Sequence, residues 1–336
     1  MIRWRWSRLV ALTGTIAVFL GHAADGLGCN IPVFRYALER WQTDPLDAII
    51  FYANDLAPDQ RSLVEVLRAI GTEAGGHAPL QVSLVDLRQP LNDELRATWK
   101  RVENQADGSP LLVVQGKHPR GTYQCWASPL TADAIRTLID SPARREISRR
   151  ILSGDAIVWV VLRGADGEEA RRTAELLRRE SDRLAAAIEL PEGIGLPGSE
   201  LFSEIPLLVQ FTVLEVDRHD PREAFLVQVL QGMRPAAFES GQPLVVPFFG
   251  RGRALEIIPA DQLDAALVRD LARFLCGACS CQVKEQNPGF DLFFNVQWNR
   301  ELFGEAGFQP PAAEGLLQRK SPEPTYVPIP SGRRGK

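Results

Sequence analysis

The 336-residue chain predicts an α/β fold in which one strand–helix pattern occurs twice. Three observations predict it. Short apolar runs alternate with longer segments of helical period, from Asp47 to Asp140 and again from Ala156 to Leu275. The order βαβαββα reads the same in both stretches. The helical segments carry charge on one side and Leu, Val or Ala on the other, so each needs a sheet to cover its apolar stripe.

The first stretch opens with the strand Ala48–Tyr52. Gln60–Ile70 follows as a helix with Leu63, Val66, Leu67 and Ile70 as its expected inner face. Leu80–Leu87 alternates, with Leu80, Val82 and Leu84 on one side. Asp93–Val102 reads as a helix, Leu111–Val114 and Thr122–Ala127 as partner strands, and Thr131–Ile139 as the closing helix. In the second stretch Ala156–Leu162 is a strand and Glu168–Ile188 a long helix. Leu207–Val216 is a strand and Arg222–Leu230 a helix. Leu244–Phe249 and Ala254–Ile258 form a hairpin around Gly250-Arg251-Gly252, and Asp261–Leu275 is the last helix.

This twice-repeated order resembles the thioredoxin fold. The fold expectation is therefore α/β with two tandem thioredoxin-like repeats. In that family a cis proline precedes the third strand and faces the active site. Pro110 before Leu111 and Pro243 before Leu244 stand at that place in both repeats. The catalytic members carry Cys-x-x-Cys between the first strand and first helix. Here the same loops read Ala53-Asn54-Asp55-Leu56-Ala57-Pro58-Asp59 and Arg163-Gly164-Ala165-Asp166-Gly167, without cysteine. The usual redox activity is not expected of either repeat. The whole chain also resembles a group of uncharacterised exported bacterial proteins. The resemblance lies in Cys29–Trp41, Phe248–Leu255 and Cys279–Gly289, and it implies no mechanism.

The ends differ from the body. Arg3, Arg5 and Arg8 precede an uncharged run, Leu9–Leu20, that is short of the ~20 residues needed to span a bilayer. Residues 1–23 therefore read as an export signal cleaved after Ala23. Cys29 lies too far beyond Leu20 to suit a lipid anchor. Residues 24–46 hold a short helix with Val33, Phe34, Ala37, Leu38 and Trp41 on one face. Residues 47–152 and 153–303 are the two expected domains, the second ending in a cysteine-rich segment. Residues 304–336, with six prolines, are expected to be disordered.

Charge and cysteines bound the function. The chain has 38 basic and 42 acidic residues; removing three signal arginines leaves 35 against 42, a formal −7. That argues against a nucleic-acid surface. Arg144, Arg145, Arg149 and Arg150 cluster on a helical segment and read as a solvated face. Cys276, Cys279 and Cys281 fall within six residues. In an exported chain such thiols are more often joined than reactive. Cys29, Cys276, Cys279 and Cys281 are the disulfide candidates, with Cys29 bonded to Cys279 or Cys281 and Cys125 left as the buried free thiol. Cys276 sits at a helix C-terminus, where the dipole opposes a thiolate, with Gly277 as the expected cap.

The other chemistry is thinner. Cys276, Cys279 and Cys281 could alternatively hold Cu(I) or Zn²⁺, although no cofactor is required. Arg251 and Arg253 could contact an anion, although the flanking glycines suit a tight turn as well. The expected function is a non-catalytic binding or scaffold protein of the bacterial envelope, soluble after export, whose partner is an unidentified envelope protein. The alternative is a thiol redox or metal-handling protein.

Overall fold

The computed structural model describes residues 30–72, 80–118, 121–279, 283 and 289–304, without the side chains of 72, 117, 118 and 121–125. It is a mixed α/β structure with two sheets. In the first, β1 (Leu46–Tyr52) lies between β2 (Leu80–Asp86), parallel to it, and β3 (Leu111–His118), antiparallel to it. β4 (Gly121–Pro129) closes the order β2-β1-β3-β4, with a bulge between Val114 and Gln115. In the second, β5 (Ile157–Leu162) is parallel to β6 (Phe211–Val216) and antiparallel to β7 (Leu244–Phe249). The short strands β8 (Arg253–Ala254), β9 (Ile258–Pro259) and β10 (Phe290–Asp291) complete it in the order β10-β8-β7-β5-β6, with β9 on β7. Both sheets thus share one order and one set of strand directions across their first four strands.

Ten described helices accompany the sheets: α1 (Val33–Arg40), α2 (Pro58–Thr72), α3 (Asp93–Val102), α4 (Ala132–Ile139), α5 (Pro142–Leu152), α6 (Gly167–Ala187), α7 (Ala224–Met233), α8 (Pro235–Glu239), α9 (Ala265–Cys276) and α10 (Trp298–Phe303). Several begin where the sequence supplies a cap. Asn92, Thr131, Ser141, Asp166 and Asp264 each accept a hydrogen bond from a first-turn N–H, satisfying a donor that the helix cannot.

The period-2 pattern of the strands sorts the core. Leu46, Ala48 and Ile50 of β1 share one apolar cluster with Val158, Val160 and Leu162 of β5. Residues of α2, α4, α5, α7 and the segment 290–303 fill that cluster, so the two sheets have one continuous core. The opposite face of β5, with Ile157, Trp159 and Val161, packs with α1, α6 and α9. The opposite face of β1, Ile49 and Phe51, meets Val102 and Trp99 of α3. Burying each large apolar side chain contributes about 1.5–3 kcal/mol.

Several expectations are corrected. Neither Ser109–Pro110 nor Gln242–Pro243 is cis, because the described chain has no cis peptide bond. Each proline carbonyl instead accepts a backbone N–H, from Leu130 (2.8 Å) and Ala260 (2.9 Å). In α2 the buried positions are Val64 and Leu67, while Val66 is exposed, because the helix is rotated toward Val64. Arg144 is buried rather than solvated. Its guanidinium donates to the carbonyls of Thr137, Leu138 and Phe293 and stacks over the Phe225 ring at 4.7 Å. Burial pushes its pKa down to about 10, opposed by Glu223 and Asp140. Gly277 is the C-cap of α9 as expected, but extended at φ −76° and not left-handed; a Cβ there would sit 2.9 Å from the Arg273 carbonyl. The export-signal region, Cys29, Cys281 and residues 305–336 lie outside the described residues.

Candidate functional site

The three segments singled out for their resemblance meet at one place. α9 ends at Cys276, and the chain runs extended through Gly277–Cys279. Val33 N–H donates to the Gly277 carbonyl (3.0 Å) and Cys279 N–H to the Ile31 carbonyl (2.9 Å), with Pro32 opposite Ala278 in an antiparallel bridge. The start of the described chain and the cysteine segment therefore form a short two-stranded ladder.

The Gly250–Arg253 turn fits against α1 and the segment 289–294. Gly250 and Gly252 have φ of +57° and +82°, which a side chain would strain. A Cβ on Gly250 would lie 2.8 Å from the Ala37 Cβ, and one on Gly252 would lie 2.4 Å from the Phe294 ring. Arg251 and Arg253 turn inward. Arg251 donates through Nε to the Leu38 carbonyl (2.7 Å) and through an Nη to the Glu39 carbonyl (3.2 Å), satisfying the orphan acceptors at the end of α1. Burial, opposed by Glu39, lowers its pKa to about 10. Arg253 lies 3.0 Å from both the Asp44 and Asp291 carboxylates. Its burial would lower the pKa, but those two carboxylates outweigh that and hold it raised. These guanidinium groups serve internal carbonyls and carboxylates, not an external anion. The cleft beside them, between Trp41, Gln42, Thr43 and Asp291, has a free volume of about 10 Å³, the size of one water.

A second buried ion group locks α1 to the loop after α6. Arg35 and Glu39, at i,i+4 spacing, are 1% and 0% exposed and pair at 2.9 Å. Glu39 also accepts from the Phe202 and Ser203 N–H groups, each at 3.0 Å, and Arg35 donates to the Ser203 carbonyl at 2.7 Å. Arg40 stacks over the Phe202 ring at 4.2 Å. Burial lowers the Arg35 pKa, opposed by Glu39. The apolar face expected of α1 leaves these buried charges out of view. Arg-x-x-x-Glu inside an otherwise apolar helix was the available signal.

The cysteines sit differently from a reactive site. The Cys276 thiol is buried and free, and desolvation raises its pKa to about 12. Cys279 is buried in the same apolar cluster. Cys29 and Cys281, and the side chain of Cys125, lie outside the described residues. Among the described residues, no three His, Cys, Asp or Glu side chains are placed to hold a metal.

The loop between β5 and α6 is closed by backbone. Ala165 N–H donates to the Gly241 carbonyl (2.7 Å), and a Cβ on Gly164 would lie 2.3 Å from that oxygen. Arg218 ties the loops together, donating to the carbonyls of Arg163 (2.6 Å), Phe238 (3.2 Å) and Gln242 (2.9 Å). The matching loop of the first sheet is polar and open, with Asp55 paired to Arg88 at 3.0 Å. His219, next to Arg218 in sequence, is exposed, and its backbone N–H donates to Asp217 at 2.8 Å.

No protein-family model and no curated protein match the chain. Among solved structures, the crystal structure of ERdj5 form II is 13% identical, with a TM-score of 0.23, over 73% of this chain and 29% of that one. The crystal structure of full-length ERdj5 is 12% identical, with a TM-score of 0.20, over 72% and 32%. This chain spans about three-tenths of the length of those proteins, and TM-scores this low do not bear on the fold. No described helix is long and apolar enough to cross a membrane.

Proposed function

We propose that this chain is an exported, non-catalytic binding or scaffold protein of the bacterial envelope, built from two tandem thioredoxin-like units. The shared strand order and directions of the two sheets support the tandem reading. The closed Gly164–Ala165 loop, which has neither a thiol nor room for one beside Gly241, carries the non-catalytic reading. A thiolate at Cys276 is disfavoured by both burial and the helix C-terminus.

Reduction of a generic dithiol-sensitive disulfide tests this, with thiol counts and metal content measured on the same sample. The expected result is no turnover above buffer and no bound metal. Rapid reduction abolished by Cys279→Ser would overturn the proposal in favour of thiol redox chemistry. Copper or zinc that co-purifies and is lost in Cys281→Ser would overturn it in favour of metal handling.

A further inference from the structure

The edges of the two sheets are guarded unequally. β6, one edge of the second sheet, carries Glu215 in mid-strand, paired to Arg178 at 2.7 Å and Arg163 at 3.4 Å. The other edge, β10, is two residues long and ends in the buried Asp291. In the first sheet β4 is bulged, ends in Pro129 and packs against α7, with the Trp126 and Phe225 rings 6.0 Å apart. Charges, brevity, bulges and cover are the usual protections of an edge.

β2 packs against α2 on one face, yet its outer edge lacks the other protections. Its seven residues, Leu-Gln-Val-Ser-Leu-Val-Asp, hold no charge before Asp86 and no proline, and their register with β1 is unbroken. Gln81, Ser83 and Leu84 are exposed, Leu84 at 39%. Among the described residues no strand pairs with its outer side. The neighbouring helix α2 adds exposed Val66 at 44%. Among the described residues, two of the four exposed large apolar side chains thus lie on this one layer.

We propose that β2 pairs antiparallel with β2 of a second copy, about a two-fold axis through Ser83, joining two four-stranded sheets into one of eight. The strand is its own complement in that register. A two-fold axis perpendicular to the sheet keeps each side chain on its own face, so it must pass through a residue rather than between two. Only Ser83 as pivot pairs all seven positions. Leu84 of each copy then faces Val82 of the other on the same side, covering the exposed Leu84 with an apolar neighbour. Asp86 faces Leu80, so no like charges oppose one another.

Sedimentation equilibrium of the protein without its signal, over a concentration series, reads the assembly directly. A concentration-dependent dimer is expected. Ser83→Lys places two ammonium groups opposite each other and should weaken the dimer at least ~10-fold. Leu208→Lys, at an exposed apolar site off this edge, should not. Ser83→Cys keeps the test open if the lysine variant fails to fold. Directly opposed strand residues have Cα atoms ~4.5–5.5 Å apart, within disulfide reach. Oxidised glutathione should therefore link two copies through an 83–83 bond, itself being reduced to two thiols. A reducible dimer band is expected in Ser83→Cys and not in the parent. A monomer throughout the series would overturn the proposal. So would a dimer that survives Ser83→Lys, or one that Ser83→Cys does not cross-link.

Discussion

β6 and β2 are the corresponding edge strands of sheets with the same order, yet β6 exposes none of its six residues and β2 exposes Gln81, Ser83 and Leu84. The difference comes from what each sheet has been given as cover. The second sheet has α6 and α9 on one face, and that face also receives α1. Its short strand β10 comes from the last described segment, which then sends Phe293, Phe294 and Trp298 into the shared core. Both ends of the described chain are thus spent on the second sheet. The first sheet keeps an open edge and an open first loop. One topology therefore supports two levels of protection, because cover depends on the segments outside the shared four-strand order.

The strongest test of that contrast is deletion. Removing everything after Gly289 strips β10 and the buried Phe290, Leu292, Phe293, Phe294 and Trp298 and should abolish cooperative melting. Removing only residues after Gly304 should leave the melting temperature nearly unchanged. A large drop in that second protein would mean that the proline-rich tail adds to the core.

Glu39→Ala comes next. It leaves Arg35 buried without its carboxylate and frees the Phe202 and Ser203 N–H groups. A loss of about 3–5 kcal/mol in denaturant unfolding is expected. Hydrogen exchange should quicken in α1 and residues 200–205 before β1 and β2. Equal loss across both sheets would show that they unfold as one unit and weaken the contrast.

The antiparallel ladder of Ile31–Val33 with Gly277–Cys279 makes a third test. Counting three residues outward from Pro32 and from Ala278 reaches Cys29 and Cys281. Peptide mapping should find these two joined, and Cys29→Ser should free one thiol and cost about 2–4 kcal/mol. Free thiols at both Cys29 and Cys281 in the parent protein would show that the ladder is not stapled.

The smallest effect concerns Asp155, just before β5, whose pKa is raised by desolvation, opposed by the Thr212 hydroxyl at 2.6 Å. A carboxyl raised in the folded state favours folding while protonated, and that contribution is lost as pH rises through its folded value. Asp155→Asn should therefore melt above the parent at neutral pH. The gap should close as pH falls below the ordinary carboxylate range. A gap that does not change with pH would mean that packing, not ionisation, is responsible.

Much of the strand and helix order was readable because it rests on local periodicity. α3 begins and ends as its pattern indicated, and β7 does too, since caps and apolar runs are encoded within a few residues. The errors fall where a distant segment intervenes. Arg144 looked solvated beside three other arginines until carbonyls from Thr137, Leu138 and Phe293 supplied its bonds. The run Phe290–Phe303 was placed in the second domain but given no strand or helix from its sequence, and it is core because β8 and the sheet interface accept it.

The site divides in the same way. Composition and spacing alone determined that the loops after β1 and β5 lack cysteine and that Cys276 ends a helix. The glycines of the Gly250–Arg253 turn were equally plain. Only the tertiary structure decided where Arg251 and Arg253 point, because the α1 carbonyls and the Asp44 and Asp291 carboxylates that hold them come from segments some 40 to 210 positions away. Local sequence sets backbone propensity over a turn or a strand. The partners of a buried charge are set by which distant segments the core brings together, and burial makes an unmatched partner costly enough to fix the arrangement.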